Sequence, residues 1–78
     1  MADNEPEQLV IARLNANTAQ FMGDERKAIQ IAEQAFVFYP QDKGLLTVLA
    51  MGYCRIGLFQ KAHEYVSQLI SLFPESAS

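Results

Sequence analysis

One histidine and one cysteine are all that the chain offers for imidazole or thiol chemistry. They are His63, followed by Glu64, and Cys54, followed by Arg55. General acid–base work by His63 would need a nucleophile and an orienting acid converging on it. Cys54 and Glu64 are the side chains on offer, and no motif surrounds either. A thiol beside a guanidinium is reactive only when exposed, because the positive charge then lowers its pKa. A lone intracellular cysteine is more often a small hydrophobe, so Cys54 is expected to pack or to line a groove. His63 is expected on a surface or at an interface. One cysteine and one histidine do not make the Cys/His set of a structural zinc site. Glycines 23, 44, 52 and 57 never gather into a phosphate-cradling loop, and Gly23 and Gly57 read as helix stops. No catalytic residue, metal site or cofactor is therefore assigned, and the expected class is non-enzymatic.

The bulk properties narrow the alternatives. Seventy-eight residues allow one domain. A chain of this size buries only roughly 60% of its unfolded surface, so its stability is marginal without a disulfide, a metal or a partner. With one cysteine an intrachain disulfide is impossible, which leaves a partner as the economical source of stability. The net charge of −3 gives no basic patch, which argues against nucleic acid and anionic membranes. Half of the residues are apolar, but no uninterrupted apolar run approaches the ~20 residues that span a bilayer. The start, Met1-Ala-Asp-Asn-Glu-Pro-Glu, is acidic and lacks the basic region of a secretory signal. The cytoplasm is the expected location, with Cys54 reduced.

Four helices would position these residues. Residues 1–6 read as a disordered lead, with Pro6 near the first turn of a helix, where a missing N–H costs little. The first helix is expected from about Glu7 to Met22. Leu9, Ala12, Ala16 and Ala19 share a stripe, with Val10, Leu14 and Phe21 beside it. Gly23 stops it and Asp24 caps a second helix, about Glu25 to Tyr39, with Ala28, Ala32 and Ala35 as a small stripe. Pro40 ends that helix. Asp42 caps a third, about Lys43 to Ile56, which is apolar on more than one side. Gly57 ends it, and a fourth runs from about Phe59 to Phe73, with Ala62, Val66 and Leu69 on one stripe. Pro74 ends the fourth, and residues 75–78 read as a polar tail. No stretch alternates with period two over strand length, so the fold is expected to be all-α, and the short turns make neighbouring helices antiparallel.

The chain also repeats itself. Gly23, Lys27, Ala28, Gln34 and Pro40 recur as Gly57, Lys61, Ala62, Gln68 and Pro74, each pair 34 residues apart. Tyr39 before the first proline is answered by Phe73 before the second. A fixed period of this size is the mark of stacked supersecondary units. A plain four-helix bundle with a chance echo is the alternative, but the identities cluster at turns and small-residue positions.

Leu46, Leu49, Ala50, Tyr53, Ala62, Val66 and Pro74 stand at the spacing of the tetratricopeptide repeat, with Leu46 in place of the usual Trp. In the first unit Ala12, Asn15, Ala16, Ala19, Ala28, Ala32 and Pro40 take those places, and Asn15 departs from the expected Leu. The chain over residues 7–74 thus resembles two tetratricopeptide-like helix-turn-helix units, a fragment of an α-solenoid.

The resemblance implies binding rather than chemistry. Its members hold a peptide or helix on an inner face built mainly by the first helix of each unit. By position, that groove takes Val10, Arg13, Asn17, Gln20 and Phe21 from the first unit, and Gly44, Thr47, Met51, Cys54 and Arg55 from the second. Arg13 and Arg55 would select acidic flanks on the partner. Arg13 and Asn17 fall where some members grip a C-terminal carboxylate, but Val48 replaces a required Asn and there is no third unit. Tyr65, Leu69, Ile70, Leu72 and Phe73 give the last helix an apolar surface without the polar cap of repeat arrays. Such a surface marks a partner site. In size, charge and architecture the chain is similar to the small chaperones of bacterial type III secretion, which hold an export component or pair with a co-chaperone. The expected function is thus a cytoplasmic chaperone or adaptor that holds a partner's amphipathic helix, without nucleic acid or membrane insertion. The alternative is a structural homodimer formed through the last helix.

Overall fold

The computed structural model describes residues 5–74. Four α-helices follow one another: α1 (Glu7–Phe21), α2 (Glu25–Phe36), α3 (Lys43–Arg55) and α4 (Phe59–Leu72). The all-α expectation holds, and each helix starts at the expected residue. Of the expected lead, Glu5 is not free, because its carboxylate receives the Arg13 guanidinium. Residues 1–4 of that lead and the expected tail, 75–78, lie outside the described residues.

The two glycines 34 residues apart do the same work. Gly23 and Gly57 have φ of 87° and 89°, the left-handed region in which a side chain is strained. Around Gly23 the Asp24 N–H donates to Ala19 O at 2.8 Å and the Gly23 N–H to Gln20 O at 3.0 Å. Around Gly57 the Leu58 N–H donates to Tyr53 O at 2.9 Å and the Gly57 N–H to Cys54 O at 3.1 Å. Both sets are the paired bonds of a Schellman stop, which satisfy the last carbonyls of a helix. The following caps differ. Asp24 accepts the Lys27 N–H at 3.3 Å, whereas its counterpart Leu58 has no capping side chain.

α2 ends at Phe36, three residues before the expected Tyr39. Pro40 has no N–H to give the Phe36 carbonyl and disfavours helical geometry at Tyr39. The chain tightens instead, and the N–H groups of Phe38 and Tyr39 both donate to Ala35 O at 3.0 Å. Asp42 then caps α3 by accepting the Leu45 N–H at 3.0 Å.

α1 packs on α2, α2 on α3 and α3 on α4, and α1 also touches α3. Among the described residues no Cα atoms of α1 and α4 come within 8 Å of each other, and α2 and α4 meet through the side chains of Phe36 and Tyr65 without such a backbone approach. A closed four-helix bundle would bring α1 against α4. The helices instead form an open row of two hairpins. α3 lies in the middle of it, which explains why its apolar residues go nearly all the way round. Leu45, Leu46 and Leu49 are fully buried there, each contributing about 1.5–3 kcal/mol of burial. The small stripes serve close approach: Ala16, Ala28 and Ala32 have no exposed surface. Gly52 acts similarly, since a Cβ on it would lie 2.7 Å from Ile29 Cγ1.

No helix among the described residues is long and apolar enough to cross a membrane.

Candidate functional site

The expected groove residues lie on α1 and α3, the first helices of the two hairpins, which touch each other. Val10, Asn17, Phe21, Met51, Cys54 and Arg55 are exposed, and Arg13 and Thr47 are half-buried. Phe21 is 90% exposed and Met51 41%. Leu14, 61% exposed and outside the expected set, falls between Val10 and Phe21 on the same stripe of α1. Its spacing of four residues from Val10 is the signal that could have placed it.

The two arginines, expected to select acidic flanks on a partner, are engaged within the chain. Arg13 donates to the Glu5 carboxylate and holds its Nε 3.7 Å from Asp42 Oδ2. Its stem crosses the first turn of α3 where Gly44 has no side chain, 2.5 Å from where a Cβ would stand. Arg55 Nη1 reaches Glu25 Oε2 at 2.9 Å and ties the end of α3 to the start of α2. Gln20 is also turned inward, donating to Val48 O at 3.0 Å. The carboxylate grip fails here as well, because Val48 is buried in the core and Arg13 already has its anions. What remains outward on α1 and α3 is mainly Val10, Leu14, Asn17, Phe21, Met51 and Cys54, an apolar surface with little charge.

The last helix divides differently from the expected interface. Tyr65 is half-buried and stacks on Tyr53, with ring centroids 5.8 Å apart and 6° between planes. It also meets the Phe36 ring in a T-shaped arrangement, with centroids 5.6 Å apart. The inward stripe of α4 is therefore Ala62, Tyr65 and Leu69, continued by Phe73, and not Ala62, Val66 and Leu69. Lys43 Nζ lies 5.7 Å from the centre of the Phe73 ring. Val66, Ile70 and Leu72 are exposed at 38%, 50% and 38%. Phe59, absent from the expected set, is 66% exposed at the first turn. Tyr65 thus belongs to the seam between hairpins rather than to an open surface.

An aromatic and ionic cluster holds that seam. The Tyr53 hydroxyl donates to the Glu33 carboxylate, and Lys61 Nζ lies 5.3 Å from the centre of the Tyr53 ring. Burial, reinforced by the hydrogen bond to Glu33 and by its charge, pushes the Tyr53 hydroxyl well above its ordinary pKa. Burial also raises Tyr65, with the charges of Glu33 and Glu64 adding to it. An open cleft of about 470 Å³ adjoins the cluster, lined by Ile29, Glu33, Val37, Tyr53, Ile56 and Leu58 among others. Further clefts run along the α1–α2 seam past Asn15 and Ile31. None of these three clefts is lined by the expected groove residues.

His63 and Cys54 are both exposed, on different helices. Among the described residues no group of three or more His, Cys, Asp and Glu side chains could hold a metal ion.

No family model and no solved structure matches the chain. It is 38% identical over 52 residues to a Bos taurus protein named BBSome complex member BBS4. The match covers 67% of this chain and 10% of the relative, so the chain spans about a tenth of that protein's length. The 34-residue step, the paired glycine stops, the open row of hairpins and this likeness together support a tetratricopeptide-like helical repeat.

Proposed function

We propose that the chain is a non-enzymatic protein-binding module, a helical-repeat segment that works within a larger protein assembly. The observation that carries this reading is the outward apolar surface of α1 and α3, where Phe21, Leu14 and Met51 stand exposed with few charges among them. The matched relative is, by its name, a member of a complex, and that supports an assembly subunit over a carrier of transient clients. A type III secretion chaperone is one form of the same reading. Its support is limited to size, charge and architecture, and the complex-subunit form is favoured. A cytoplasmic setting belongs to the proposal too, since exposed Cys54 is best kept reduced there.

The partner is an amphipathic helix whose apolar side covers Val10, Phe21 and Met51. Selection by Arg13 and Arg55 is weak, because a partner carboxylate would have to displace Glu5, Asp42 or Glu25.

The test is capture from an extract of the native host by the tagged chain and by its Met51→Glu variant. Met51 is exposed, so the variant keeps the fold, which circular dichroism verifies. The wild type is expected to retain a defined protein in constant proportion. The variant is expected to lose at least about tenfold in affinity, equivalent to ~1.4 kcal/mol. Equal capture by a folded Met51→Glu chain would remove the α1–α3 surface from the binding role.

A further inference from the structure

We infer that a second copy of this chain stacks head to tail on the first, continuing the 34-residue step from one molecule into the next. The inference rests on the helical-repeat reading and on the contacts between the two hairpins. Besides the contacts of Arg13 and Gln20 from α1, side chains of α2 make four contacts that join them: Glu25 with Arg55, Ile29 with the bare face of Gly52, Glu33 with Tyr53, and Phe36 with Tyr65. In each, the first residue lies on the trailing face of the first hairpin and the second on the leading face of the second hairpin.

Adding 34 to the trailing residues gives Phe59, His63, Ser67 and Ile70 of α4. Subtracting 34 from the leading residues gives Phe21, Thr18, Ala19 and Ile31 of the first hairpin. A copy placed by the same step therefore sets Phe59 against the other copy's Phe21, and Ile70 against its Ile31. The ion pair between hairpins becomes an aromatic pair between molecules. Phe21 and Phe59 are 90% and 66% exposed in the single chain, and Ile70 is 50% exposed. The tyrosine–glutamate contact becomes Ala19 with Ser67. His63 meets Thr18, whose hydroxyl donates to Leu14 O at 2.8 Å and can still accept a hydrogen bond. None of the four translated pairs sets a carboxylate, an ammonium or a guanidinium in the contact. The step buries the exposed rings on both ends without leaving one of these charges unpaired.

The two faces are different surfaces, so the contact is heterologous and does not close at two copies. An isologous dimer through α4 would set the Ile70–Leu72 patch against the same patch of its copy and leave Phe21 bare.

Sedimentation of the purified full chain across a concentration series tests this, with Phe21→Asp and Phe59→Asp as variants. Both positions are exposed, so both variants are expected to fold, which circular dichroism verifies. The wild type is expected to pass beyond the mass of a dimer as concentration rises. Each variant alone lacks one face and is expected to stay monomeric. An equimolar mixture of the two regains one intact contact and is expected to stop at a dimer. Three results would overturn the inference: a wild-type monomer at every concentration, a wild-type mass that stops at two copies, or a mixture that remains monomeric. Phe21 is shared with the proposed partner-helix surface, but Met51 is in none of the four pairs, so sedimentation reads the stack, capture with Met51→Glu reads the partner surface, and the two proposals fail separately.

Discussion

At the scale of single residues, the seam between hairpins depends on two unlike devices. One is the Tyr53–Glu33 hydrogen bond beneath the stacked Tyr65 ring. Folding raises the pKa of both tyrosines, so their neutral forms stabilise the fold fully below the unfolded value of about 10. That contribution is lost as pH rises from there through the folded values. Thermal melts are expected to hold steady on this account up to about pH 10 and to fall above it. Tyr53→Phe is expected to cost ~1–2 kcal/mol at neutral pH and to flatten the alkaline fall, leaving only the share due to Tyr65. An unchanged alkaline slope in Tyr53→Phe would separate the hydroxyl from the seam. The other device is an absence. Gly52→Ala gains up to about 1 kcal/mol of helix propensity. Its new Cβ would stand 2.7 Å from Cγ1 of buried, β-branched Ile29, and overpacking costs about 1–3 kcal/mol. Urea unfolding is expected to show a net loss of stability.

At the scale of elements, the paired glycine stops give the repeat its clearest test. A Cβ at Gly23 or Gly57 would meet nothing within 4 Å, so the cost of alanine there is conformational. Each of Gly23→Ala and Gly57→Ala is expected to lower unfolding free energy by ~1–2 kcal/mol, and by similar amounts if the two turns are copies. These stops were legible in the sequence because glycine after an apolar helix has few other uses. So were the caps Asp24 and Asp42, each set just after a helix stop, Gly23 or Pro40. The end of α2 was misread because Pro40 acts at a distance, through the carbonyl of Phe36 as well as through Tyr39. The inward stripe of α4 was misread because Tyr65 and Val66 are adjacent and both apolar. Only the presence of Phe36 and Tyr53 across the seam decides that the ring turns in. The intrachain pairing of the arginines was not legible for a similar reason: their carboxylates, Glu5, Asp42 and Glu25, come from other parts of the chain and are invisible to spacing along one helix.

At the scale of the molecule, function follows from the row being open. A closed bundle would press α1 against α4 and cover Leu14, Val66 and Ile70. The open row leaves the outward side of α1 and α3 for a partner helix and its two ends for further hairpins. Small repeat units bury a continuous core only by stacking on neighbours, and exposed Phe21, Phe38 and Phe59 are consistent with that need. The openness can be measured directly by nuclear Overhauser contacts between methyl groups, recorded on the Phe59→Asp chain so that contacts between copies do not contribute. Contacts are expected between α1 and α2, α2 and α3, α3 and α4, and α1 and α3, with none between the methyls of Leu9, Val10, Ile11 or Leu14 and those of Val66, Leu69, Ile70 or Leu72. A network of α1–α4 methyl contacts in that monomer would show a closed bundle and contradict the repeat stack on which the binding role rests.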